Sequence, residues 1–140
     1  MERPQYTRDD LVETLRAHGI NPTHQRIEIA HALYSRCEHL CADQVLAIVN
    51  ERHPETSRAT VYNTLNLFVQ KELLRELHLA PDSVVFDPNM DRHHHLIDEE
   101  SGRIHDIPWN QVEVRKIAGI SDFEVSDYQV VMHGHRRKQE

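Results

Sequence analysis

The residues best suited to chemistry crowd into one stretch, "DRHHHLIDEESGRIHD", Asp91 to Asp106, where four histidines stand among aspartates and glutamates. His93 and His95 are two apart, so on a strand both imidazoles lie on one face while His94 lies on the other. A turn at "EESG" returns the chain, and His105 and Asp106 on the returning strand again point to opposite faces. Asp87 stands just before the stretch. Imidazoles with carboxylates form a nitrogen–oxygen donor set that suits Fe(II), Mn(II) or Zn(II) better than a soft metal. A solvent-exposed polar hairpin is the competing reading. Hydrolysis finds no support, because no His-Glu-x-x-His helix and no positioned general base accompany the cluster. The expectation is a binding protein and not an enzyme, with no catalytic residue assigned.

A second set could meet nucleic acid. In "SRATVYNTLNLFVQ", Val61, Leu65 and Phe68 recur at helical spacing and face a core. The other face then offers Ser57, Arg58, Thr60, Tyr62, Asn63 and Asn66. Hydroxyls and Arg58 can hold phosphates, Asn63 can bond base edges, and the ring of Tyr62 can pack on a thymine methyl. Arg26 and His24, at the start of an earlier helix, could reach the DNA backbone from the side. A solvated polar helix face is the plainer alternative.

These residues need elements to hold them. Thr7 caps a helix carrying Leu11, Val12 and Leu15, which ends at "HGINP". Thr23 caps the next, with Ile27, Ala30, Leu33 and Tyr34. "CADQVLAIVNE" sets Ala42, Val45, Leu46 and Val49 on one stripe, and Ser57 or Thr56 caps the candidate recognition helix. After Leu74 the period changes. "LLRELHLA" and "SVVFD" flank the turn signal "PD" and read as a hairpin, and "HHLID" and "RIHDI" read as another. "WNQVEVRKIAG" is expected as a helix closed by Gly119, and "FEVSDYQVVMHG" as a strand with a bulge near Asp127. Helices followed by a two-stranded wing give a winged helix-turn-helix, with a hinge at "FDPNMDR". The fold class is α+β, with residues 1–87 as the DNA-binding domain and residues 88–140 as an α/β dimerisation and metal-sensing domain.

The formal net charge of −7 disfavours indiscriminate nucleic-acid binding. Residues 1–88 carry nine Lys/Arg against thirteen Asp/Glu, so useful affinity requires a dimer reading two half-sites. No apolar run approaches the ~20 residues of a membrane span. "MERPQYTRDD" has no apolar export segment, so a cytoplasmic location without membrane association is expected. Cys37 and Cys41 could share a metal or form a transient disulfide, but two thiols cannot make a four-thiolate zinc site; ordinary thiols are the simpler reading.

The segments "INPTHQR", "HLCADQV", "SRATVYNTLNLF", "VVFD" and "HHHLIDEESGRIHDI" occur in the order found in Fur-family metalloregulators. The chain resembles that family from about Arg8 to about His135. The resemblance implies a homodimer binding a double-stranded DNA operator, and a regulatory metal at the hinge. Carried over position by position, the ligands would be His39, Asp87, His93, His95 and Asp106. Ligands from both halves would let Fe(II) or Mn(II), with Zn(II) as an in vitro substitute, select the DNA-competent arrangement. Two carboxylates and a divalent cation sum to zero, which removes repulsion from phosphate. The imidazoles must be unprotonated, so metal binding is expected to weaken below about pH 6.5.

Departures from the family pattern refine the expectation. Asp98 and Ser101 stand where many members begin a four-cysteine zinc site, so no structural zinc held by cysteines is expected. A further non-cysteine site keeps His94 and Glu113 but has Arg92 and Tyr128 in place of ligands, and is not assigned. Both acidic hinge positions are aspartate, as in peroxide-sensing members, in which Fe(II) promotes oxidation of a histidine ligand; His39 and His93 would be the vulnerable rings. An iron-, manganese- or haem-responsive repressor without peroxide sensing is the alternative, and a metal-storage or hydrolytic protein is a more distant one.

Overall fold

Thr7 opens the first helix with a reciprocal cap: its hydroxyl accepts from the Asp10 amide at 3.1 Å, and the Asp10 carboxylate accepts from the Thr7 amide at 3.0 Å. The helix, α1 (Arg8–Ala17), stops where Gly19 takes φ +72°, a left-handed conformation that a side chain would oppose. Thr23 caps α2 (His24–Tyr34) and Ser57 caps α4 (Arg58–Gln70), each through the amide three residues on. Between them, α3 (Ala42–Asn50) begins where the Gln44 side chain accepts from the Cys41 amide at 2.9 Å. The computed structural model describes residues 6–36, 39–80 and 82–138. Contacts divide it into two units, Met1–Met90 and Asp91–Glu140.

In the first unit the apolar stripes meet in one core: Leu11 and Leu15 of α1, Ile29 and Leu33 of α2, Val45 of α3, and Val61, Leu65 and Phe68 of α4 are all fully buried. Burying each of the large side chains contributes about 1.5–3 kcal/mol, which outweighs the modest intrinsic preference of short helices to form. Strands β1 (Arg75–Ala80) and β2 (Ser83–Asp87) make the antiparallel wing, with Leu77 opposite Val85 and a register shift between Leu77 and Ala80. The Phe86 amide donates to the Leu40 carbonyl at 2.8 Å, tying the segment before α3 to the end of the wing. That bridge places His39 beside Asp87. The helices and wing have the order of a winged helix-turn-helix.

The second unit is a three-stranded sheet, ordered β4-β3-β5. β3 (His93–Asp98) pairs antiparallel with β4 (Ile104–Pro108) and parallel with β5 (Val131–Gly134). The helix expected over "WNQVEVRKIAG" is not formed; Trp109–Gln111 and Ile117–Gly119 are separate 3-10 turns. Val112 is extended, Lys116 takes φ +67°, and Arg115 pairs with Glu113 two residues away, a spacing that does not bring side chains together on a helix. No residue from Trp109 to Gly119 is buried, so a helix there has nothing to dock against in this unit. The strand expected from Phe123 is confined to β5. The Val130 amide donates to His94 Nδ1 at 2.9 Å and the Tyr128 amide to the Asp127 carboxylate at 2.9 Å. Among the described residues no helix is long and apolar enough to cross a membrane.

Candidate metal centre

In the first unit, His39 Nε2 lies 3.0 Å from Asp87 Oδ2, and both side chains are buried. Neither is held by helix or strand geometry alone. Asp87 is the last residue of β2, and the Leu40–Phe86 bridge brings His39 across to it. Asp87 Oδ1 also accepts from the Asn89 amide at 2.9 Å, which fixes the carboxylate plane. An imidazole nitrogen and a carboxylate oxygen are thus presented together.

In the second unit, the two-residue repeat of β3 puts the His93 and His95 rings on one face, 4.6 Å apart between centroids. Asp106 stands directly across from His95 on β4. Its Oδ1 lies 3.4 Å from His93 Nε2 and 3.9 Å from His95 Nε2. His93 Nδ1 donates to the Asp91 carbonyl, which leaves Nε2 as the ring atom turned toward Asp106. Both rings are buried, whereas Asp106 is exposed. This is a donor set of two imidazole nitrogens and one carboxylate oxygen within bonding reach of a single ion, and its chemistry fits a divalent first-row metal.

His94 faces the other side of the sheet, as alternation requires. Its ring stacks on Trp109 with centroids 4.4 Å apart. The Arg92 guanidinium lies 3.9 Å from the Trp109 ring centroid and 5.5 Å from that of Tyr128. Arg92 also pairs with Asp127 at 3.3 Å, and exposed Glu113 is engaged by Arg115 at 3.0 Å. Three positions of the further non-cysteine site, Arg92, His94 and Tyr128, therefore join Trp109 in an aromatic–cation stack, and the fourth, Glu113, lies outside it. Where a four-cysteine site would begin, the Ser101 hydroxyl donates to Asp98 at 2.9 Å and the Glu100 amide to the same carboxylate at 3.0 Å. Those bonds hold the Asp98 carboxyl below its ordinary range.

On the candidate DNA face, Arg58, Tyr62 and Asn63 are exposed on α4, and Thr60 is half-buried. Arg58 pairs with Asp43 at 3.0 Å and lies over Tyr62 at 5.5 Å. The hydroxyls of Ser57 and Thr60 bond each other at 2.9 Å. The Arg26 guanidinium donates to the Asn21 carbonyl at 3.0 Å, closing the loop before α2. Of the two cysteines, Cys41 is a partly exposed free thiol at the start of α3; Cys37 lies outside the described residues. Sequence reasoning passed over Glu28, a buried carboxylate gripped by Arg8 at 2.6 and 3.0 Å. A charge between Ile27 and Ile29 was the available signal.

A profile of the ferric uptake regulator family matches residues 17–133. The peroxide-responsive repressor PerR of Staphylococcus epidermidis is 31% identical over 136 residues, covering 96% of this chain and 91% of the relative. The solved structure of the Helicobacter pylori ferric uptake regulator superposes with a TM-score of 0.73 at 19% identity, covering 98% of this chain and 95% of that one. A zinc uptake regulator solved with zinc and DNA gives a TM-score of 0.68 at 16% identity and 94% coverage of each chain. The helices, wing and second sheet, the histidine–carboxylate groups and these matches lead to one conclusion: the chain belongs to the ferric uptake regulator family of metal-responsive DNA-binding regulators.

Proposed function

We propose that the chain is a homodimeric, metal-dependent transcriptional repressor of the cytoplasm that senses peroxide. Residues 1–87 bind a double-stranded operator, and residues 88–140 dimerise and sense metal. One Fe(II) or Mn(II) is held jointly by His39, Asp87, His93, His95 and Asp106. The observation that carries this reading is the His93–His95–Asp106 set, with His93 Nδ1 already committed to the Asp91 carbonyl so that Nε2 is the ligating atom. The His39–Asp87 pair supplies the complementary donors. Exposed Ile120, Phe123 and Val125 in the second unit are apolar surface that a second copy of the chain would cover. Tyr62 and Asn63 on α4 meet the bases, with Arg26, Ser57, Arg58 and Thr60 on phosphates.

A bound Fe(II) would promote transfer of one peroxide oxygen to an imidazole ring carbon: the O–O and C–H bonds break, a C–O bond forms, and the other oxygen leaves as water. His39 and His93 would be the ligands open to this oxidation, and the ring that gains the oxygen would no longer ligate. Without that ligand the DNA-competent arrangement loses its advantage and the operator is released. The similarity to a peroxide-responsive repressor and the two aspartates support this course. The test is anaerobic retention of operator DNA by Fe(II)-loaded and Mn(II)-loaded dimers, before and after one equivalent of peroxide. Release by the iron form alone, with one oxygen added to the His39 or His93 peptide, is expected. Retention by both forms would assign the chain to metal or haem sensing instead.

A further inference from the structure

Three donors unrelated to the hinge residues meet inside the N-terminal unit. His24 and Glu28 stand four residues apart on α2, hence on one helical face, and His53 lies in the turn between α3 and α4. One ligand atom from each lies within 4.8 Å of the others. His53 Nε2 is 3.7 Å from Glu28 Oε2, and the His24 and His53 rings meet edge to face with centroids 4.7 Å apart. Glu28 is buried, His53 half-buried and His24 exposed, so a carboxylate floors a socket that opens to solvent at His24.

The surroundings are those of a ligand set. His53 Nδ1 faces Glu55 Oε1 at 3.6 Å, so the two ring nitrogens look toward different carboxylates. Arg8 grips Glu28 through Nε at 2.6 Å and Nη2 at 3.0 Å, which keeps the carboxylate ionised. A carboxylate offers about four lone-pair positions, so the guanidinium leaves room for a cation on the same group. Two imidazoles and one carboxylate also leave coordination positions to water, an arrangement that borderline divalent ions accept.

We propose that His24, Glu28 and His53 form a second divalent transition-metal site, of the zinc class, contained in the N-terminal unit and separate from the hinge ligands. An ion there pins the first turn of α2 to the segment that launches α4. Its binding therefore restricts the turn before Ser57 and Arg58, the start of the helix with the exposed polar face.

The test is equilibrium dialysis of the full chain against Zn(II), with circular dichroism to confirm folding of each variant. The full chain takes up two equivalents. The double variant His93→Ala/His95→Ala keeps the N-terminal one, and His24→Gln/His53→Gln loses it while keeping the other. A single equivalent lost only with His24→Gln/His53→Gln upholds this site and refutes the hinge site. Uptake unchanged in His24→Gln/His53→Gln, or abolished by His93→Ala/His95→Ala, overturns the proposal.

Discussion

At His93 the two ring nitrogens have divided roles. Nδ1 is spent on the Asp91 carbonyl, and Nε2 is turned toward Asp106. Asp106 stands across from His95 on the neighbouring strand and presents its carboxylate to both imidazoles on a single methylene. Lengthening it changes geometry without changing charge. Asp106→Glu is expected to preserve metal-dependent operator binding and abolish release by peroxide; a wild-type peroxide response in the retention assay would refute the role given to the short side chain. The pairing of His93 with His95 was legible in the sequence, since alternation along a strand follows from backbone geometry. His39 was not. It is far from the cluster in the chain, and only the resemblance to a family picked it out.

Between elements, the Tyr34 hydroxyl at the end of α2 donates to the Leu73 carbonyl after α4 at 3.1 Å, a bond that spans 39 residues. Burial pushes the Tyr34 phenol from its ordinary 10.0 up to about 12. The folded state therefore retains this proton at pH values where the unfolded chain has lost it. The contribution to stability is complete below pH 10 and fades as pH rises toward about 12. Tyr34→Phe should cost about 1 kcal/mol at neutral pH, and this difference should shrink above pH 10. Urea midpoints across that range, with phenolate absorbance, check it. At this scale the helices were legible because Thr7, Thr23 and Ser57 mark their starts and apolar stripes mark their cores. The segment after Pro108 was not, because half-buried Val112 and Val114 alternate with exposed Glu113 and Arg115 as in an extended chain while the residues around them mimic a helical stripe.

For the whole molecule, a metal that binds the folded state in preference to the unfolded chain stabilises it by mass action. Mn(II) at about one hundred times its Kd is expected to add ~2.7 kcal/mol to unfolding, removable by chelator. Calorimetry on wild type and His93→Ala checks this, and equal shifts in both would show that the hinge ligands are not responsible. Phe123, 77% exposed, belongs to the apolar surface assigned to a second copy. Phe123→Glu should leave each chain folded, since surface changes usually cost within about ±0.5 kcal/mol, yet shift the dimer toward monomer in light scattering. What the sequence determined by itself was whatever depends on near neighbours: caps, periodicity, the shared face of His93 and His95, and the missing thiolates. Tertiary structure alone decided which distant groups meet. The Leu40–Phe86 bridge that sets His39 against Asp87, and the packing of α2 against the turn after α3 that brings His53 to His24 and Glu28, are long-range contacts that no local spacing encodes.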